Sequence, residues 1–450
     1  MNEHAEPPSV PAPAPDIESQ NHYLRAVADM AGHQRVVTHN EVYSEAGVKL
    51  LDRGVRVDSR LYDRLAQHKL RDSIDENLRA ENQLSVAQLV QAARALCEHE
   101  PFGQMLVDAL EDEGGANALL APLATIKLPH PMAFRITLMR EQLAGMFEHG
   151  LDTALISIYL GIKAGHDAST CTQLATAGLL HDIGVLHMDP RWNDPSQRFT
   201  GTERRHLLAH PVSAAMLVRS LNIYPQAVAQ AILEHHEAMD GSGYPRGLRG
   251  EEISPLGQIL LLAEIVASFF RKYAQDLPAQ RLSLALKFNH RKYPASLCAH
   301  VLPLLRRGGG EPPPAAQGLA EVERIVATLA AVFGDWKTRS SALPSEWLPE
   351  STGRACAVVH QRLAALEQSL LEAGSHPDQL ADMLDYLKDD AHSLAELTLL
   401  GREALWQLQR ILNATYSQWP RIDQRRDEGD CAVLDWRAAC SAQLGKGFPQ

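Results

Sequence analysis

The chain has 450 residues, a formal net charge of -12, 45% hydrophobic and 22% charged residues, and only 6% aromatics. That length admits two or three domains, because single cores rarely grow past about 250 residues. The acidic balance argues against wrapping a nucleic-acid duplex, yet leaves room for a small anionic nucleotide if metal ions supply local positive charge.

In chain order, residues 1–20 are expected to form a disordered tail, since proline and charge leave nothing to bury. The segment AEPPSVPAPAPD is unlike a secretory signal, with its basic start and apolar core. Residues 35–57 alternate β-branched and polar side chains around Gly47 and Gly54, and predict a small β-hairpin. Asp58 or Ser59 would cap a helix over 60–69, and Ser85 another with Val86, Leu89, Val90, Ala93 and Leu96 on one face. Residues 133–165 predict one or two long helices, with Leu151, Leu155, Ile158 and Ile162 as a stripe. Further helices are expected over 172–181, 205–220, 226–236 and 253–273.

The most apolar run, Ile259 to Phe270, is short and contains Glu264, so no membrane span is expected. The run RGGGEPPPAAQ at 307–317 predicts a linker. Beyond it, four stripes predict a helical bundle: Val322 to Trp336, Val359 to Leu370, Leu380 to Leu387 and Leu405 to Leu412. The six cysteines form no Cys-x-x-Cys pair and suit free thiols in a reducing compartment, so the chain is expected to be cytoplasmic.

The residues that carry chemistry are His149, His181-Asp182, His210, His235-His236 and Glu264, each in or beside an apolar helical segment. Imidazole and carboxylate suit borderline metals such as Fe or Mn. An aspartate beside a histidine can bridge two ions, and ions about 3.5–4 Å apart can clamp a phosphate. Among 20 histidines, a surface or core role is the commoner one, and His166, His206, His290 and His300 are left there. His187, in HDIGVLH, either lines the site or packs beside it. The pair His235-His236 opens onto EAMDGSGYPRGL, a loop that needs turns and close backbone approach.

LLHDIG at 179–184, HP at 210–211 and HHEAMDGSGYPRGLRGEEISPLGQIL at 235–260 resemble the HD-GYP family of the HD-superfamily metal phosphohydrolases. The resemblance covers about a third of the chain, and HD followed by HHE and DGSGYP in this order and spacing is specific. It implies a mainly α architecture: an all-helical HD domain, here with a small hairpin-containing N-terminal module and a C-terminal helical bundle. The expected layout is tail 1–20, accessory module 21–130, phosphohydrolase domain 131–306, linker 307–317 and helical region 318–450.

The resemblance also implies two divalent ions, Fe or Mn. His149, His181, Asp182 and Glu264 would hold one, and Asp182, as bridge and central catalytic carboxylate, would share a second with His210, His235 and His236. Gly243, Tyr244 and Pro245 would line the rim, with Arg271 and Lys272 able to meet phosphate or to stay solvated. The family's usual substrate is cyclic di-GMP, opened to pGpG or cut to GMP. A diguanylate cyclase or another signalling protein is an expected partner, and a homodimer is left open.

Several positions depart from the family. Val185 replaces a lysine that reaches phosphate, a contact whose loss costs ~2–4 kcal/mol. Glu264 replaces an aspartate and carries one more methylene. Ala267 replaces a second aspartate, and Gly145 replaces the glutamate of three-metal members, with Glu148 on another helix face. Two alternatives to a cyclic dinucleotide phosphodiesterase therefore stay open. One is a degenerate sensor or scaffold that binds nucleotide or protein without turnover. The other is a hydrolase of another nucleotide phosphate ester.

Overall fold

A computed structural model of the chain describes residues 17–58, 65, 67–72, 74–193, 206–274, 278–307, 315–419 and 422–444. Among the described residues the protein is mainly helical, with four short strands near the N-terminus and a helical bundle near the C-terminus. The helix Ile17–His33 begins inside the segment expected as tail; residues 1–16 lie outside those described, as do most of the expected helix over 60–69 and residues 308–314 of the expected linker.

The predicted hairpin is present as Val42–Tyr43 paired antiparallel with Lys49–Leu51. Gly47 and Gly54, with φ of 78° and 81°, adopt the left-handed conformation that its turns require. A second pair was not foreseen: Val36–Thr38 runs antiparallel to Leu78–Ala80. Buried Thr38 ties this module together. Its Oγ1 donates to the Asp52 carbonyl at 2.7 Å and accepts from the Val55 amide at 2.8 Å.

Ser85 caps the helix Val86–His99 through a reciprocal box with Gln88, and Leu89, Ala93 and Cys97 form its buried face. The central helix, Ala144–Lys163, is enclosed on nearly every side from His149 to Gly161. It packs against Ala168–Leu180 and Pro255–Lys272. Gly178 makes the first crossing close: a Cβ there would lie 2.6 Å from the Ala154 Cα. Each buried leucine or isoleucine of this layer contributes on the order of 1.5–3 kcal/mol as an upper estimate.

The chain divides into two compact units, 1–272 with 291–304, and 273–290 with 305–450. By packing, residues 273–290 group with the C-terminal helices. Pro278–Phe288 packs against Ala355–Glu372 and Ala391–Gln418. In that unit Trp336, Leu363, Leu408 and Trp436 share one core. The helix Glu428–Leu444, absent from the sequence expectations, supplies Trp436.

Candidate metal centre

Helix ends assemble the site. The close crossing at Gly178 brings His149 and His181 together, with ring centroids 5.2 Å apart. His181 and Asp182 follow the helix Ala168–Leu180, just before the tight turn Ile183–His187. Gly184 lets this turn press on the next helix, since a Cβ would lie 2.5 Å from the His210 carbonyl oxygen. His210 begins the helix His210–Ser220, and His235-His236 follow Gln226–Glu234.

Backbone carbonyls fix three of the rings. Nδ1 of His181 lies 2.7 Å from Gly178 O, that of His210 2.8 Å from Leu207 O, and that of His235 2.6 Å from Ile232 O. A carbonyl only accepts, so each Nδ1 carries the proton and each Nε2 of a neutral ring presents a lone pair inward.

Asp182 sits between the histidines. Its Oδ2 lies 3.3 Å from His181 Nε2, while its Oδ1 lies 3.2 Å from His210 Nε2 and 3.7 Å from His235 Nε2. Oε2 of Glu264 lies 2.7 Å from His149 Nε2 and 3.2 Å from His181 Nε2, and Ser268 Oγ donates to Oε1 at 2.8 Å. Among the described residues, two groups of donors have mutual spacings of at most 4.8 Å: His149, His181 and Asp182, and His210, His235 and His236.

The electrostatics are those of a cation site. Burial alone would raise both carboxylates, but His181 holds Asp182, and His149 holds Glu264, well below the ordinary range. Burial works against charging His181, yet Asp182 and then Glu264 raise it well above the usual imidazole value. His235 is pushed well below that value by burial and then by His236, and His236 falls to about 4 by burial.

These residues pass a test for metal. His210 Nε2 and His235 Nε2 face each other at 3.2 Å, and with both Nδ1 atoms donating to carbonyls two neutral rings put lone pairs there, which either a proton on one ring or a metal ion within reach of both would satisfy. His181 Nε2 is buried and aligned for a hydrogen bond with neither carboxylate. Both observations fit donors shaped for cations.

The rim expectations fare unevenly. Tyr244 lies at the site: its amide donates to His236 O at 3.0 Å, and its ring stacks on His236 at 4.8 Å and 28°. Gly243 runs against the Glu237 backbone, where a Cβ would overlap, and Pro245 follows a cis peptide. Arg271 is spent on ion pairs, with Nη1 2.8 Å from Glu148 and Nη2 2.8 Å from Asp152, while Lys272 is exposed. Val185 and Ala267 are buried.

Sequence reasoning missed Glu234, Glu237 and Ser254, which hold the loop after the histidine pair. The available signal was a carboxylate that ends the helix Gln226–Glu234 and a second one just past the histidine pair. It also left His187 undecided. That ring packs away from the donors, stacked on Tyr23 at 4.6 Å and 8°.

Residues 120–291 match the family described as HD domain, whose phosphohydrolases depend on metal. The chain is 28% identical over 106 residues to the cyclic di-GMP phosphodiesterase PdeB of Borreliella burgdorferi, covering 24% of this chain and 28% of that protein. It is 32% identical over 118 residues to 3'3'-cGAMP-specific phosphodiesterase 3 of Vibrio cholerae, covering 26% and 25%. With a cyclic di-GMP phosphodiesterase of Pseudomonas aeruginosa it shares 29% over 157 residues, covering 34% and 37%. The match thus spans between about a quarter and just over a third of each relative's length. No described helix is long and apolar enough to cross a membrane.

Proposed function

We propose that this chain, whose residues 120–291 match the HD domain family, is a metal-dependent phosphodiesterase of the HD-GYP type that hydrolyses a cyclic dinucleotide, cyclic di-GMP first among them. One observation carries the reading: Asp182 turns one oxygen to His181 and the other to His210 and His235. A carboxylate so placed could be shared between two ions.

In this reading His149, His181, Asp182 and Glu264 would hold one ion, and Asp182, His210, His235 and His236 would hold the other. Imidazole and carboxylate donors favour Fe or Mn. When bound, the ions activate water and neutralise charge on the phosphoryl group. The carbonyl bonds of His181, His210 and His235 keep their Nε2 atoms turned inward. Gly243, Tyr244 and Pro245 would offer a surface for a nucleotide base, and Arg271 and Lys272 would lie toward its phosphates. Water adds to one phosphorus, the bond from phosphorus to O3′ breaks, and the 3′ oxygen leaves as a hydroxyl with a proton from that water. The product is pGpG, and a second cut gives GMP.

Chromatography of the products tests this. The full chain loaded with Mn or Fe(II) should convert cyclic di-GMP to pGpG or GMP. Conversion of 3'3'-cGAMP alone would reassign the substrate, and conversion of neither would reject the reading. A binding role without turnover is the second reading, favoured by the buried, uncharged Val185.

A further inference from the structure

Two buried carboxylates outside the donor groups hold the loop that carries Tyr244. Glu234, 0% exposed, ends the helix Gln226–Glu234, and Glu237 follows at 3%. Glu237 accepts from the Arg246 amide at 2.7 Å through Oε1 and from the Leu248 amide at 2.9 Å through Oε2. Glu234 accepts from Arg246 Nη2 at 2.6 Å through Oε1. Its Oε2 accepts from the Ser254 amide at 2.9 Å and the Ser254 hydroxyl at 2.5 Å.

The two side chains thus hold the middle and the far end of residues 238–254. Glycines leave them room: a Cβ at Gly243 would overlap the Glu237 backbone, and one at Gly257 the Glu234 carboxylate. A buried carboxylate is costly unless hydrogen bonds satisfy it. Apart from Gln230 of the same helix, which also donates to Glu234 Oε1, these donors converge only when the loop is folded down, and that fold sets the Tyr244 ring along His236 at 28°.

We infer that Glu234 and Glu237 are positioning residues that fix Tyr244 beside the metal-binding histidines, so that a nucleotide base meets a preformed aromatic surface. The inference rests on the proposed function for its substrate, and its test separates the two.

Glu234→Gln and Glu237→Gln each put an amide NH2 where a carboxylate oxygen accepted. In the metal-loaded full chain, either change should speed amide exchange across 238–254 at least tenfold with metal content unchanged. KM for cyclic di-GMP should rise about tenfold and kcat stay within twofold, a binding effect. In a Tyr244→Ala background the KM effect should vanish, since the carboxylates act through that ring. Unchanged exchange, metal loss, or additivity with Tyr244→Ala would overturn the inference. Ser254→Ala, which removes one hydroxyl, gives the same exchange readout in milder form if a glutamine variant fails to fold. If the wild-type chain turns over no cyclic di-GMP, the proposed function fails, and exchange across 238–254 still decides the clamp.

Discussion

Glu264 reaches His149 across 115 positions of sequence, its Oε2 2.7 Å from Nε2 of the imidazole. The contact joins the helices Ala144–Lys163 and Pro255–Lys272 at the donor cluster. Glutamate in place of the family aspartate therefore still delivers a carboxylate to the site. Glu264→Ala should weaken metal binding by at least tenfold, in the range seen when a ligand or its support is lost. Glu264→Asp should bind within a few fold of wild type. Titration of the apoprotein with Mn checks both, and undiminished binding by Glu264→Ala would remove Glu264 from the ligand set.

Val185 is the departure with the clearest chemical consequence. Val185→Lys should raise kcat/KM for cyclic di-GMP by about tenfold, worth ~1.4 kcal/mol of transition-state stabilisation. Because Val185 is buried, the same change should lower stability unless the ammonium reaches the site. A folded, metal-loaded variant with no gain would point to another ester.

Arg135 and Asp75 form a buried ion pair at 2.6 Å, with side chains 3% and 1% exposed. Removing one partner leaves a buried charge, which costs about 3–5 kcal/mol. Arg135→Ala should show that loss in urea unfolding, and Arg135→Met combined with Asp75→Leu should recover much of it. A loss below about 1 kcal/mol for Arg135→Ala would contradict the burial of the pair.

His187 gives a pH dependence outside the donor set. Burial, and then Arg135, lowers its pKa to about 4 from an ordinary value of 6.5. Between those values the unfolded chain binds the proton and the folded chain does not. Stability from this group is thus full above pH 6.5 and falls as pH drops toward 4, by up to about 1.4 kcal/mol per pH unit. His187→Phe, which keeps a ring against Tyr23, should flatten that part of the apoprotein's stability curve by one proton. An unchanged slope would mean that His187 titrates normally when folded.

Much of the site was legible because metal chemistry restricts residue types and helix ends restrict spacing. His181-Asp182, His210 and His235-His236 stand beside apolar stripes, and the structure brings all of them together with His149 and Glu264. Less was legible where tertiary contact decides. The Val36–Ala80 pairing is non-local and leaves no short-range pattern. Arg271 carries the charge suited to phosphate, but Glu148 and Asp152, on a helix far away in sequence and packed against its own, claim it. The glycine and proline run at 307–317 marked a break in composition, whereas packing draws 273–290 into the C-terminal unit. Glu428–Leu444 did carry a stripe, Val433, Trp436, Cys440 and Leu444, that the sequence reading passed over.

The central claim, two ions shared through Asp182 and serving phosphodiester hydrolysis, is tested most directly by measuring metal per chain and cyclic di-GMP turnover together, in wild type and Asp182→Ala. The account predicts about two ions per wild-type chain with pGpG or GMP formed, and loss of both ions and products in Asp182→Ala. Little metal and no turnover in the wild type, or turnover undiminished in Asp182→Ala, would contradict it.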